Sequence, residues 1–217
     1  MSETVRQEVV EAARAMYSKG LVNAFEGNCS SKDGNRIYIT PTATCKSLLT
    51  EDMLAVTDES GNVVEGCQAR PSSEIKLHLA AYRLRPDVKA VVHTHSVFAT
   101  AYAIANKPIV TDAYPEMILL FDKIPVVPYG TPSTDEIYRG MEKYIFDTDV
   151  FLIGNHGVVA VGSSAMDAFY KAESVESMAK TLTIAKFLGG EHPISEKNLE
   201  LLYRRRKERR GKDRVKL

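Results

Sequence analysis

The spacing of apolar residues divides the chain into helical and extended stretches. Apolar positions that recur every three or four residues, the period of one helix face, predict helices at residues 3–19, 74–83, 97–105, 134–146 and 164–188. Short alternating or continuous apolar runs predict strands at residues 36–40, 53–57, 63–65, 89–92, 124–129, 150–154 and 157–162. Helices and strands mix without a regular strand–helix–strand alternation, and hairpins are present. This favours a layered α/β (α+β) fold, a largely antiparallel central sheet flanked by helices.

Glycine, proline and small polar residues mark where these elements end. Residues 26–31 predict a polar turn, and Ser73 is a candidate N-cap for the second helix. Prolines within 124–129 predict an irregular or edge strand. Neither an internal repeat nor a linker rich in Pro, Gly or Ser divides the chain. The sequence therefore predicts a single domain over residues 1–195, followed by a basic tail at 196–217.

Charge and composition exclude some classes of partner. The chain has 217 residues, 44% hydrophobic and 26% charged, with a formal net charge of zero, which is ordinary for one globular domain. Residues 203–217 hold nine Lys/Arg against two acids, which leaves 19 basic and 26 acidic residues elsewhere. A nucleic-acid-binding protein would carry a broad basic face, so we expect no nucleic-acid partner.

Membrane, export and disulfide signals are missing from the sequence. Its apolar runs fall short of the roughly 18 residues of a membrane helix, and its charged N-terminus does not resemble a signal peptide. Three cysteines without C-x-x-C spacing, Cys29, Cys45 and Cys67, argue against a disulfide framework or a thiolate metal site. We therefore expect a cytoplasmic protein without a membrane partner.

Two histidines lie two residues apart at the end of an apolar strand. Residues i and i+2 of a strand face the same side, so the rings of His93 and His95 share one space. His156 lies in an Asn-His-Gly turn between two apolar strands, which displays its ring. Three imidazoles with an open position are typical of catalytic zinc, while hydrogen-bonded core histidines are the alternative. We interpret His78 and His192 as structural.

Three loops of small residues could receive a phosphate. They are Gly27-Asn28, Thr42-Ala43-Thr44 and Ser72-Ser73, and each offers backbone N–H groups or hydroxyls. Taken one by one, such loops more often simply turn the chain. Glu74 follows the two serines, where its ordinary role would be to compensate the helix dipole.

Five short motifs occur in one order along the chain. They are Gly27-Asn28-Cys29-Ser30, Ile39-Thr40-Pro41-Thr42, Pro71-Ser72-Ser73-Glu74, Val92-His93-Thr94-His95-Ser96 and Asn155-His156-Gly157. Together, over about residues 5–190, they make the chain resemble the class II aldolase and adducin-head family. The resemblance implies the class II aldolase fold and a homotetramer with active sites at subunit interfaces.

The resemblance also implies a metal centre. The three histidines that fall on the family's metal-binding motifs are His93, His95 and His156. They would bind a divalent ion, usually Zn²⁺, with Mn²⁺ or Co²⁺ as alternatives. Glu74 falls on the family's acid/base glutamate, which can also bind the metal when substrate is absent.

A phosphate site is implied as well. Its residues would be Gly27, Asn28, Thr42, Ala43, Ser72 and Ser73. Ala43 stands where the family usually has glycine, so its Cβ could crowd a phosphate oxygen or demand a different backbone conformation.

The implied reaction is reversible retro-aldol cleavage of a ketose 1-phosphate to dihydroxyacetone phosphate and an aldehyde. The substrate would be of the L-fuculose 1-phosphate or 5-deoxy- or 5-methylthio-ribulose 1-phosphate type. Tyr114 is the candidate proton donor to the aldehyde oxygen.

Other members of the family suggest alternatives. Glu116 lies near the place of the catalytic glutamate of the methylthioribulose-1-phosphate dehydratase branch, although that branch lacks the glutamate that Glu74 supplies here. A ribulose-5-phosphate 4-epimerase would need a different acid/base pair, for which we see no clear match. A non-enzymatic, adducin-like interaction module is a further alternative, but that branch loses the metal ligands that this chain keeps.

Overall fold

The computed structural model describes residues 2–64 and 66–215 and the side chains of 4–64 and 66–209. The helices in these ranges are α1 Ser2–Ser18, α2 Ile75–Leu84, α3 Val97–Ile104, α4 Pro115–Leu120, α5 Ala165–Phe187 and α6 Glu196–Val215. The strands are β1 Asn28–Asp33, β2 Arg36–Ile39, β3 Ala55–Thr57, β4 Ala90–Thr94, β5 Ile109–Val110, β6 Lys123–Ile124, β7 Val126–Val127, β8 Val150–Ile153 and β9 Gly157–Gly162.

Seven strands form the central sheet, in the order β3-β2-β1-β4-β9-β8-β7. Neighbouring strands are antiparallel except β7 and β8, which are parallel, so the predicted largely antiparallel sheet is confirmed. The run predicted as an irregular or edge strand is divided at Pro125 into β6 and β7, and β7 is an edge strand. That prediction is also confirmed.

Helices cover both faces of the sheet, which makes the fold layered. Helices α1, α3 and α5 pack on one face, and α2 packs on the other. Successive residues of β4 alternate between the two cores, with Val91 in the smaller and Val92 in the larger. All residues of β4 and β9 are buried, in agreement with the continuous apolar runs at residues 90–92 and 157–161.

One predicted helix is wrong. Residues 134–146 form turns and a single 3-10 helix, Met141–Lys143. Most backbone N–H groups here donate to the carbonyl three residues earlier, whereas an α-helix uses the carbonyl four residues earlier. The Arg139 N–H, for example, donates to the Glu136 carbonyl at 3.0 Å. Gly140, at φ +85°, has a left-handed conformation that an α-helix does not contain.

Two predicted element ends near the first strand and the second helix are also wrong. Residues 28–31, predicted as part of a turn, belong to β1. Glu74 rather than Ser73 occupies the N-cap of α2, because residues 72–75 first form a turn closed by an Ile75 N–H to Ser72 oxygen bond of 3.1 Å. Glu65, at the end of a predicted strand, lies outside the described residues.

Residues 196–215, predicted as a basic tail, form α6, which packs against α4. Arg206 Nη2 donates a hydrogen bond to the Phe121 carbonyl at 2.9 Å. Among the described residues, the helices are all too short or too polar to cross a membrane.

A distant carboxylate holds the first turn of α3. Glu176, on α5, accepts hydrogen bonds from the backbone N–H groups of Phe98, at 2.9 Å, and Ala99, at 2.8 Å. N–H groups in the first turn of a helix have no hydrogen-bond partner within that helix. Ser96, at the N-cap, does not supply one with its side chain. The carboxylate therefore substitutes for a local cap and fixes the chain just after His95.

We expect Glu176→Ala to lower the free energy of unfolding by about 1 kcal/mol, the usual cost of losing a helix cap. Chemical denaturation followed by circular dichroism would measure this loss. Glu173→Ala is the matched control on the same helix, since Glu173 pairs with the exposed Lys19 and, among the described residues, caps no helix. Equal losses in the two variants would contradict a capping role for Glu176.

Candidate metal centre and active site

The register of the central strands brings the motif histidines together. Residue His93 of β4 pairs with Val159 of β9 on one side and with Asn28 of β1 on the other. The turn between β8 and β9 carries His156 to the same end of the sheet, where the chain leaves β4 through His95. Residues far apart in sequence thus meet at one end of three neighbouring strands.

Three imidazoles and one carboxylate form a compact cluster there. Candidate ligand atoms of Glu74, His93, His95 and His156 all lie within 4.8 Å of one another. The Nε2 atoms of His93 and His95 are 2.9 Å apart. The Glu74 oxygens lie 3.2 Å from His156 Nε2 and 3.4 Å from His93 Nε2.

Burial keeps two of these rings neutral. It lowers the pKa of His93 to about 4 and, helped by its neighbouring imidazoles, that of His95 to about 3. Burial alone would raise the pKa of Glu74. The adjacent His93 and His156 and a hydrogen bond from Asn28 outweigh it and hold the pKa of Glu74 well below its usual range. At neutral pH the cluster therefore offers ring lone pairs beside a carboxylate.

The surroundings of the cluster suit a divalent cation. His93 Nδ1 lies 2.8 Å from the Val158 carbonyl and must donate to it, which leaves the Nε2 lone pair facing the cluster. Gly157 makes room for the rings, since a Cβ there would overlap the Thr94 carbonyl and lie 2.9 Å from the His95 ring. Three imidazole nitrogens and a carboxylate oxygen are the donors that zinc and related ions accept.

The predicted phosphate loops meet beside this cluster. The Ser72 N–H donates to the Thr40 oxygen at 3.1 Å, and the Thr42 N–H donates to the Arg70 oxygen at 3.1 Å. The Cys29 N–H donates to Thr40 Oγ1 at 3.2 Å, which ties this pair of segments to β1. Hydrogen bonds of their flanking residues therefore link the three loops, and the Asn28–Glu74 bond of 2.7 Å joins them to the cluster.

Individual residues of these loops differ in their exposure. Gly27 has φ +69°, and a Cβ there would lie 2.8 Å from the His93 carbonyl, so the turn requires glycine. Ser72 is buried and Ser73 is exposed. Ala43 is exposed and has φ +52°, the left-handed conformation that glycine favours.

Lys46 is a further residue beside the cluster, and none of the sequence motifs includes it. Its side chain is 2% exposed, and Nζ donates to the Thr44 carbonyl at 3.0 Å, within the predicted phosphate loop. Burial lowers the pKa of Lys46, while Cys45 and Glu74 act in the opposite direction. Among the described residues, Lys46 has no carboxylate within ion-pair distance. Its position after a Thr-rich loop was the one signal in the sequence.

Other candidates lie apart from the cluster. Tyr114 is half-buried and packs against the larger core, and none of the hydrogen bonds between described residues joins its hydroxyl to the cluster. Glu116 is exposed in the first turn of α4. His192 is exposed, while His78 is fully buried and bonded to Asn28.

Most of the chain is similar to proteins of known class. Residues 7–183 match the model of the Class II Aldolase and Adducin N-terminal domain. The chain is 37% identical to an L-fuculose phosphate aldolase of Methanocaldococcus jannaschii, over 84% of this chain and 97% of that protein. It is 33% identical to a 3-oxo-tetronate 4-phosphate decarboxylase of Haemophilus influenzae, over 83% of this chain and 88% of that protein. A solved L-fuculose 1-phosphate aldolase has a TM-score of 0.84 and 29% identity, covering 94% of this chain and 96% of that one.

We expect His95→Ala to reduce zinc affinity by more than the roughly 10- to 100-fold that loss of an outer-shell partner costs, because it removes a direct donor. Chelator competition and metal analysis of the purified variant would measure the loss, and circular dichroism would confirm folding. His192→Ala is the control, since that ring is exposed. Full zinc content in His95→Ala would contradict a metal-binding cluster.

Proposed function

Because this chain belongs to the class II aldolase and adducin N-terminal domain family, we propose that it is a metal-dependent aldolase. It would reversibly cleave a ketose 1-phosphate to dihydroxyacetone phosphate and an aldehyde. The observation that carries the proposal is the convergence of three imidazoles and Glu74 beside a surface of small polar loops. A divalent cation held there would polarise the substrate carbonyl and stabilise the negative charge that develops as the neighbouring carbon–carbon bond breaks.

His93, His95 and His156 would hold this cation, which we propose to be Zn²⁺, with Mn²⁺ and Co²⁺ as alternatives. Glu74 would act as the acid/base. It would remove the C3 proton of dihydroxyacetone phosphate in the condensation direction and return a proton to that carbon after cleavage. The contact of the Glu74 carboxylate with the His93 and His156 rings supports this role, because a substrate bound to the same centre would lie next to it.

The phosphate would bind to the joined loops. We propose contacts from Gly27, Asn28, Thr42, Ala43, Ser72 and Ser73, with backbone N–H groups and hydroxyls as donors. Lys46 supports this placement, because a buried ammonium without a carboxylate partner is costly unless an anion compensates it. Its neutralising partner would be the substrate phosphate.

We propose Tyr114 as the proton donor to the aldehyde oxygen. We also propose that the aldehyde product is a deoxy- or methylthio-type compound. We also propose a single domain over residues 1–195 that assembles as a homotetramer. The three cysteines are free, which supports a reducing cytoplasm.

A second candidate is decarboxylation of a 3-oxo acid phosphate. The Haemophilus influenzae relative carries this activity in its name and matches 83% of the chain. A 3-oxo-tetronate 4-phosphate that loses carbon dioxide also gives dihydroxyacetone phosphate. The two reactions share the phosphate end, the metal centre and the proton returned to carbon, and they differ in whether the leaving fragment is an aldehyde or carbon dioxide.

A product assay would separate these possibilities. We expect zinc-loaded protein to release dihydroxyacetone phosphate and an aldehyde from L-fuculose 1-phosphate or from 5-deoxy- or 5-methylthio-ribulose 1-phosphate, followed by mass spectrometry. Release of carbon dioxide from 3-oxo-tetronate 4-phosphate would favour the decarboxylase. Loss of water, an epimer of ribulose 5-phosphate, or no turnover would favour the dehydratase, the epimerase or an interaction module.

On whichever substrate is cleaved, we expect Glu74→Gln to lower kcat by about 10²- to 10⁴-fold, the usual contribution of general acid–base catalysis. Glu116→Gln should keep the wild-type rate, because that carboxylate is exposed on α4. Steady-state kinetics with matched zinc content would measure both. A large decrease in kcat for Glu116→Gln together with a small decrease for Glu74→Gln would show that Glu116, rather than Glu74, is the acid/base.

Lys46→Met should raise KM for the phosphorylated substrate by about 10- to 100-fold, since hydrogen bonds to charged groups contribute about 1.5–3 kcal/mol. We expect a smaller change in kcat, because the phosphate keeps its contacts through the reaction. Lys32→Met is the control, as Lys32 pairs with Glu59 at the surface. An unchanged KM in folded Lys46→Met would show that the ammonium does not bind the phosphate.

A further inference from the structure

A buried row of hydrogen bonds leads from helix α2 to the Glu74 carboxylate. The Tyr82 hydroxyl lies 2.6 Å from Ser30 Oγ, which lies 2.7 Å from His78 Nδ1. His78 Nε2 bonds to Asn28 Oδ1, and Asn28 Nδ2 donates to Glu74 Oε2 at 2.7 Å. All five side chains belong to buried residues. We call these residues the Tyr82–Glu74 row.

Two periodicities produce this row. Glu74 at the N-cap of α2 and His78 and Tyr82 within it follow one another at intervals of four, so they lie on one side of the helix. Asn28 and Ser30 are two residues apart in β1, so they share one face of the strand. The helix face and the strand face pack together, and their polar side chains alternate along the row.

The charge of Glu74 fixes the direction of every bond in the row. An ionised carboxylate only accepts, so Asn28 must turn its NH₂ group to Glu74 and its oxygen to His78. His78 must then carry its proton on Nε2, and its bare Nδ1 accepts from the Ser30 hydroxyl. Because the one hydroxyl proton of Ser30 is used in that bond, Ser30 Oγ can only accept from Tyr82, and Tyr82 donates. Burial lowers the pKa of His78 to about 4, which is consistent with this neutral ring.

We propose that His78 is a positioning residue that acts through Asn28: its Nε2–H locks the Asn28 amide in the one orientation that donates to Glu74, and so holds the catalytic carboxylate in place. Ser30 accommodates the required tautomer by donating its hydroxyl proton to Nδ1. The role of Glu74 in this inference rests on the proposed function, whereas the direction of the bonds rests on its charge alone.

The row also changes what Asn28 can offer a phosphate. Its side-chain oxygen is taken by His78, and one amide hydrogen is taken by Glu74. The side chain therefore bonds to the carboxylate first, which leaves only its second amide hydrogen for a ligand. A buried amide whose oxygen and NH₂ group are both hydrogen-bonded is held in a single orientation. Rotating it by 180° would place its oxygen next to the carboxylate oxygen, and the two would repel each other.

The tautomer of His78 can be observed directly. We expect ¹⁵N NMR of the zinc-loaded protein to show His78 neutral with its proton on Nε2. A proton on Nδ1 would reverse the row and overturn the proposal, whether or not any sugar phosphate is turned over. This measurement uses the wild-type protein, so it stands even where a variant fails to fold.

Kinetics then test the positioning role. We expect His78→Leu to lower kcat about tenfold, which corresponds to about 1.4 kcal/mol, with little change in KM. His78→Gln should recover part of the rate, because its amide can still donate to Asn28. Tyr82→Phe is the matched control, since it removes only the terminal hydroxyl and reverses no bond.

A double-mutant cycle completes the test. With Asn28 already changed to Ala, His78→Leu should cost little more in kcat, because its effect passes through the Asn28 amide. Additive losses, or an equal loss in Tyr82→Phe, would show that His78 only stabilises the core. Absence of turnover in the wild type on every substrate would instead overturn the proposed function and leave the tautomer result intact.

Discussion

The arrangement of this molecule depends on holding one carboxylate and three imidazoles together in a largely buried position. Such a cluster forms at a fixed geometry only if rigid elements carry it, and here three adjacent central strands and the start of α2 do so. The Val158 carbonyl orients His93, and Gly157 leaves space that any Cβ would fill. The sheet register is therefore the property on which the site depends, because a shift of one residue would turn His93 to the opposite face.

The same constraint explains why a central strand is polar. β1 lies between β2 and β4, where an apolar run would be ordinary, yet it carries Asn28, Ser30 and Ser31. Buried polar groups of this kind are tolerated where they are hydrogen-bonded, and the first two take part in the Tyr82–Glu74 row. On this face of the sheet, hydrogen-bonded polar side chains therefore replace apolar contacts, and they orient the Asn28 amide toward Glu74.

The sequence was sufficient where local pattern determines structure. Apolar runs located β4, β8 and β9, and the i, i+2 spacing of His93 and His95 placed both rings in one space. It failed at β1, because small polar residues carry the signature of a turn even when a buried network uses them. It also failed at residues 134–146, where a helical period is interrupted by a left-handed Gly140. Glu176 acts through contacts set by tertiary structure, so no local pattern could reveal it. For Lys46 the sequence offered only its position after a Thr-rich loop, and its burial is set by tertiary structure.

Ala43 shows how the loops respond when a residue does not suit its position. The expected difficulty was that a Cβ would force another conformation, yet Ala43 keeps φ +52°. The left-handed conformation costs an alanine of the order of 1–2 kcal/mol relative to its usual regions. The neighbouring segment is held on both sides, by the Thr42 N–H to Arg70 bond and by the buried Lys46 at its end, so the loop retains its shape. Because Ala43 is exposed, its methyl group does not have to be accommodated in the core. The conformation of this loop is thus determined by the surrounding hydrogen bonds rather than by the residue at the turn.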